Sequence, residues 1–242
     1  MNFSALSQKI NENQSIDFGA VFNNTIELFK KVWLQGFITI LLTFVAIIPF
    51  YILMYLPMIA LGIADPEAFE GQEMPPAAVI FMVLFMPILF LGIMTVALCL
   101  NAAFLRICKL NDLGESTSED YFFYLKKKYL GKALMLSLIM LGLSILGTLA
   151  CGLGIFYLIV PMSLLPAFLA FDEELSPMEI TKASFALGNK NWGVIFGLIL
   201  VMGIIAQLGV LLCLFGVLFT AMLGKIPIYF IYKDAVGFSE EP

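Results

Sequence analysis

The sequence predicts an all-α membrane protein with six transmembrane helices in three hairpins, joined by cytoplasmic interfacial amphipathic helices. Three observations lead there: an apolar composition, four long apolar stretches, and basic residues gathered on one side of those stretches. Hydrophobic residues make up 61% of the 242 positions and charged residues 13%. Soluble domains carry roughly 45–50% and about 25%. Mean hydropathy is +0.99. A single soluble core cannot hide that surplus, so much of it faces lipid.

Residues 1–31 contain no apolar core of a signal peptide. They read as a retained cytoplasmic N-terminus with an amphipathic helix. Phe18, Val21, Phe22, Thr25, Phe29 and Val32 recur at helical spacing, and Asn23, Asn24, Glu27 and Lys30 take the other face. The first hairpin is expected over residues 32–107, as two apolar stretches, Val32–Ala64 and Ala77–Ile107. About 20 residues cross the ~30 Å hydrocarbon layer, so each stretch has length to spare. Pro49, Pro57 and Pro87 inside them predict bends.

A cytoplasmic loop, residues 108–132, follows. Glu119 and Asp120 behind Ser118 suggest a helix start with acids in its first turn. Ala133–Phe171, the second hairpin, is nearly twice one crossing and is interrupted at Cys151-Gly152-Leu153-Gly154, where two glycines permit a reversal. In the next loop, residues 172–191, Ser176-Pro177-Met178-Glu179 has the residues of a helix N-terminus: Ser at the N-cap, Pro at N1 and Glu at N3. The third hairpin, residues 192–232, breaks near Cys213-Leu214-Phe215-Gly216, and a tail, 233–242, ends the chain.

With six spans, every one of the 13 basic residues except Lys225 falls on the side that holds both termini. The opposite loop, Asp65–Pro76, carries Asp65, Glu67, Glu70 and Glu73 and no base. The positive-inside rule then places both termini in the cytoplasm, as expected of a bacterial inner-membrane protein.

A shift of 62 residues lays Lys128–Gly154 over Lys190–Gly216, with ten of 27 positions identical. Gly131/Gly193, Gly147/Gly209, Cys151/Cys213, Gly154/Gly216 and Lys128/Lys190 are the informative matches. After a one-residue gap Pro166 meets Pro227 and Phe168 meets Tyr229. The chain is therefore expected to contain an internal repeat. Its amphipathic segments are either connectors between spans or lipid-sensing helices anchored by aromatic and lysine side chains.

Lys225 is the residue most out of place, since a lysine at the bilayer centre costs roughly 2.5–3.5 kcal/mol. It reads either as a contact for an anionic headgroup or substrate, with Asn101 and Gln207 as polar neighbours and Thr95 and Thr220 as further candidates, or as a lysine snorkelling to the surface. Cys151 and Cys213 stand at matching outer turns and are either a disulfide between hairpins or buried free thiols. Cys99 and Cys108 have no metal-site spacing.

The chain has no histidine. Imidazole-based nucleophiles and His-bearing metal sites are thereby excluded, and no cofactor or metal ligand set is expected. A net charge of −5 argues against nucleic acid. No span carries an acid–base pair, and no loop is long enough for a catalytic domain. An enzyme is not expected.

The run Pro166…Phe171-Asp172-Glu173…Ser176…Ala183-Ser184…Gly188-Asn189-Lys190-Asn191-Trp192, followed by Pro227-Ile228-Tyr229…Tyr232-Lys233-Asp234, resembles a broad group of uncharacterised bacterial six-helix membrane proteins. The nearest likeness is to Bacteroidetes members. The group is similar to the membrane portion fused to some glycerophosphodiester phosphodiesterases, and some members are labelled β-carotene monooxygenases. The resemblance implies an α-helical inner-membrane protein. These 242 residues contain neither a phosphodiesterase domain nor the histidines that hold iron in such oxygenases, so neither activity is expected to carry over.

The expectation is a non-enzymatic inner-membrane protein that binds or organises lipids or supports an envelope complex. Its partners would be membrane lipids, with other membrane proteins or further copies of itself. The alternative is a transporter or permease subunit for a lipid or amphiphilic solute.

Overall fold

The structure is a computed structural model that describes residues 3–12, 15–60, 75–115, 119–149, 152–209 and 216–238. Those residues form helices and short connections, with no strand among them. Helix α1 is Phe3–Glu12 and α2 is Phe18–Ala60. The next helix begins as α3, Pro76–Ile80, passes through a π-helical turn at Phe81–Phe85, and continues as α4, Met86–Leu113. A 3₁₀ turn at Phe123–Leu125 leads to α5, Lys127–Leu149, which pairs with α6, Leu153–Phe171. Then come α7, Pro177–Lys190, and α8, Trp192–Gln207. The chain closes with α9, Gly216–Thr220, a 3₁₀ turn at Ala221–Gly224, and α10, Ile226–Ala235.

Four of these helices are long and apolar enough to cross a membrane: Phe18–Ala60, Pro76–Leu113, Lys127–Leu149 and Leu153–Phe171. A fifth candidate is the pair α7 and α8, bent by 91° at Asn191. The helix α8 alone has 16 residues.

The amphipathic N-terminal segment is not a separate helix. It runs into the first apolar stretch as the 43-residue α2, because the composition changes at Lys30 and Lys31 but nothing there interrupts the hydrogen-bond ladder. At 1.5 Å per residue α2 is about 64 Å long, roughly twice the hydrocarbon layer. Its buried residues, Val21, Thr25, Leu28, Val32, Gly36 and Thr39, all lie in its first part. Those of α4 begin only at Thr95. In the second part of α2 and the segment before Thr95, Phe44, Ile48, Leu56, Val83 and Ile88 are exposed. Here Gly92 admits the Phe50 ring, which leaves no room for a Cβ. Pro87 follows the π turn, a local rewinding that absorbs the hydrogen bond a proline removes.

The loop before α5 departs from the expected helix start at Glu119. Asp120 instead accepts from the Phe122 N–H (3.1 Å) and pairs with Lys126 (2.6 Å), which forms a turn, and the regular helix begins at Lys127. Lys126 holds the Asp120 carboxyl below its ordinary range by that hydrogen bond. Gly152 reverses the chain between α5 and α6 at φ +76°. The reversal is tight: a Cβ on Gly147 would sit 3.2 Å from the Ile155 nitrogen and 3.3 Å from the Gly154 carbonyl carbon. Gly209, just past α8, stands in the same relation to Gly216, which opens α9.

The helix α7 has the capping box expected of Ser176 and Glu179. The Ser176 N–H donates to Glu179 at 2.8 Å, and the Glu179 N–H donates to the Ser176 hydroxyl at 3.4 Å. It then doubles back along α6. Gly188 lies against the Pro161 backbone, Tyr157 donates to Asn189 Oδ1 at 2.6 Å, and Trp192 Nε1 donates to the Tyr157 carbonyl at 3.1 Å.

The centre of the bundle belongs to α10. Eight of its ten residues are buried, packed against α2, α4 and α6. Phe168 meets Tyr232 edge-on at 5.2 Å, Phe171 meets Tyr229 at 6.1 Å, and Phe238 closes over both tyrosines and Phe171. Pro227 sits in the first turn of α10, where its missing N–H has no helical partner to lose. The N-terminal α1 closes this end by burying Leu6 and Ile10 in the same core. Lys190 donates to the Ile10 and Asn11 carbonyls (2.7 and 2.8 Å), capping the C-terminus of α1, and Lys9 donates to the Val236 carbonyl at 3.0 Å.

Candidate functional site

Lys225 is the N-cap of α10 and is exposed on the protein surface. Its backbone N–H donates to the Met222 carbonyl at 2.9 Å and its carbonyl accepts from the Ile228 N–H at 3.2 Å, but its ammonium makes no hydrogen bond or ion pair among the described residues. Gln207 ends α8 and is exposed, and Asn101 is half-buried in α4. No hydrogen bond joins either of them to Lys225. The hydroxyls of Thr95 and Thr220 are already committed, donating to the Leu91 carbonyl (2.8 Å) and the Ala206 carbonyl (2.6 Å). The residues just before Lys225 pack on the middle of α2: Phe219 stacks on Phe37 at 4.6 Å and approaches Trp33 at 6.0 Å, and Met222 fills the space beside Gly36. Cys151 and Cys213 lie outside the described residues. Cys99 and Cys108 are free and buried, and Cys99 donates to the Tyr124 carbonyl at 3.3 Å. No group of three metal-ligating side chains occurs among the described residues.

The charged side chains instead assemble at the ends of α4, α6 and α10. Tyr232 donates to Asp172 at 2.6 Å, Asp172 being buried just beyond α6. Burial pushes its carboxyl above the ordinary range, and the Tyr232 hydrogen bond and the charges of Lys132 and Lys9 offset this only in part. Next to it Glu173 accepts from Tyr129 (2.8 Å) and Lys128 (3.0 Å). Partial burial works against ionisation of Glu173, but those two donors prevail and hold it below the usual range. Asp112 accepts from Tyr229 at 2.7 Å and from Lys233, on the wall of a small cleft of about 160 Å³ shared with Asn24, Glu27 and Lys31.

Arg106 and Lys109 differ from these paired groups. They lie one turn apart on α4, and neither side chain makes a hydrogen bond or an ion pair among the described residues. Arg106 rests its guanidinium 4.0 Å over the Phe123 ring, and Lys109 sets its ammonium 4.6 Å over Phe238. Both open on a cleft of about 480 Å³ floored by Leu110, Tyr124, Ala170 and Phe171 and rimmed by Glu115, Glu173 and Glu174. Tyr124 fixes the floor by donating to the Ala170 carbonyl at 2.8 Å. Ring faces hold the cations in place while leaving their N–H groups free for an acceptor.

Two further clefts are apolar. One, of about 340 Å³, is lined by Met54, Met86, Phe90, Leu141 and Ile145 among others, and one of about 430 Å³ lies between Leu53, Pro57, Phe81 and Phe85. Lys225 lines none of these four clefts.

Sequence reasoning missed Arg106 and Lys109 because both sit in an ordinary basic stretch flanking a span. Their one signal was an i, i+3 spacing of cations with no acid three or four residues before either. No family model, curated protein or solved structure matches this chain.

Proposed function

We propose that this chain is a multi-pass protein of the bacterial inner membrane, not an enzyme, that binds phospholipid at the Arg106–Lys109 cleft. The observation that carries this reading is a pair of cations whose N–H donors have no hydrogen-bond or ion-pair partner among the described residues, on a polar cleft, in a chain that exposes many large apolar side chains. A guanidinium and an ammonium with free donors recognise a phosphate oxygen, and Arg does so with a planar fork.

The proposed topology has six spans in three hairpins and both termini in the cytoplasm, with the second and third hairpins duplicated. Charge bias supports the orientation. Geometry supports the duplication. The contact of Gly147 with Gly154 and Leu158 recurs, at the same 62-residue shift, as that of Gly209 with Gly216 and Thr220. The ring pairs Phe168–Tyr232 and Phe171–Tyr229 exchange when Phe168 is matched to Tyr229 and Phe171 to Tyr232. An approximate two-fold axis between α6 and α10 produces such an exchange, as in parallel repeats related about the membrane normal.

Lys225 is then an anchor rather than a ligand contact: Phe219, shortly before it, packs beside Trp33, an interfacial aromatic, and Lys225 lines none of the four clefts described above.

The test is native mass spectrometry of gently extracted protein, beside Arg106→Gln/Lys109→Gln and Lys225→Leu variants. Phospholipid retained by the wild type and by Lys225→Leu, and lost from the double variant, supports the site. Equal retention by all three, or by none, overturns it. Labelling of single cysteines at residues 9 and 233 from the cytoplasmic side checks the orientation.

A further inference from the structure

The charge pattern of the cleft narrows the headgroup, given the phospholipid reading above. Three acids face two bases, an arrangement that repels a simple anion unless the acids are occupied. Glu173 is occupied by Lys128 and Tyr129, and Glu174 has a partner of its own. Glu115 has none among the described residues, and its side chain is exposed at the mouth. The charge of Arg106 reaches Glu173 and Asp120 through space, but the groups left without a direct side-chain hydrogen-bond or ion-pair partner among the described residues are two cations and one carboxylate.

The backbone fixes where that carboxylate stands. Helix α4 ends at Gly114, whose φ of +69° is a left-handed turn. The Leu110 carbonyl accepts from both the Gly114 and the Glu115 N–H, the latter at 2.9 Å. This cap folds Glu115 back onto the cleft that Leu110, one residue beyond Lys109, helps to line. Cations and carboxylate thus come from one helix end and line a single cleft.

We infer that the cleft selects a phosphate ester carrying a primary ammonium, with the phosphate on Arg106 and Lys109 and the ammonium on Glu115, as in phosphatidylethanolamine. A primary ammonium donates three hydrogen bonds to a carboxylate, whereas the trimethylated ammonium of phosphatidylcholine donates none. Phosphatidylglycerol supplies the phosphate and leaves Glu115 unmatched.

The test is competition in mixed nanodiscs containing equal parts of phosphatidylethanolamine, phosphatidylcholine and phosphatidylglycerol, followed by native mass spectrometry of the ejected protein. The wild type is expected to retain phosphatidylethanolamine at least fivefold over the other two. Glu115→Gln is expected to lose that preference while still retaining phospholipid, because Glu115 is exposed and its substitution spares the fold. Arg106→Gln/Lys109→Gln should retain none. Equal retention of the three lipids, or a preference for phosphatidylglycerol, abolished only by the double variant, overturns the inference and leaves the phospholipid site standing. Retention unaffected by the double variant overturns both. A thermal shift with free O-phosphoethanolamine separates the sources: stabilisation by it with no lipid retained keeps the ammonium-phosphate chemistry and overturns the lipid source.

Discussion

Tyr232 donates its hydroxyl to Asp172 across 2.6 Å, and both residues are buried where α6 and α10 end. The bond ties the two central helices together at their polar ends, near the Val236 carbonyl that Lys9 of α1 reaches. It also holds a carboxyl where ionisation is costly, since burial raises its pKa above the ordinary value.

That pKa has a signed consequence. A carboxyl whose pKa rises on folding holds its proton more tightly in the folded chain. Stability therefore falls as pH climbs from the unfolded value, about 4, through the raised one. Asp172→Asn keeps an oxygen to accept from Tyr232 and removes the charge. Its thermal midpoint in detergent should exceed that of the wild type at pH 8, with the gap closing toward pH 4. A midpoint below the wild type at pH 8 would show that the charges of Lys9 and Lys132 outweigh burial.

Helix α1 is held by two buried side chains and two lysines. Ile10→Ala removes a fully buried side chain, a change that typically costs about 2–5 kcal/mol. It should expose the first twelve residues to limited proteolysis at protease levels that spare the wild type. Lys190→Met should shift the same cleavage in the same direction, by removing the donor to the Ile10 and Asn11 carbonyls.

The hairpin glycines are not equivalent. Gly147→Ala presses a methyl against the backbone of Ile155 and Gly154 and should lower the melting temperature, at a cost of about 1–3 kcal/mol. Gly142, with nothing within 4 Å of its Cβ position, should accept alanine with a gain of up to about 1 kcal/mol. Equal effects at both positions would contradict the close approach of α5 and α6.

Gly114→Ala tests the cap that places Glu115. An L-residue in the left-handed region costs roughly 1–2 kcal/mol. A loss of stability in that range is expected, together with weaker phospholipid retention than Gly131→Ala, where the Cβ meets nothing.

Some elements were legible because their causes are local. The start of α7 follows from Ser176, Pro177 and Glu179, whose side chains satisfy the first N–H groups of the helix they precede. The reversal at Gly152 follows from a residue without Cβ between two apolar runs. The buried stripe of α2 follows from spacing alone, with Val21, Thr25 and Val32 at helical intervals. The site was less legible. Lys225 stands out in composition, but its surroundings are surface, whereas Arg106 and Lys109 look like common flanking bases. Only the approach of Phe123, Phe238 and the end of α6 turns those two into a cleft.

The sequence by itself determined that the chain is helical and membrane-compatible, because hydrophobic surplus and helical period are sums over neighbouring residues. It also determined the caps and the glycine turn, which depend on a few contiguous positions. The tertiary structure alone decided that α10 is central, that α7 doubles back along α6, and which cations remain unpaired. Those outcomes depend on which of many apolar faces meet and which carboxylates arrive near which bases, and residues such as Lys233 and Asp112, or Tyr232 and Asp172, are brought together only when distant helices pack.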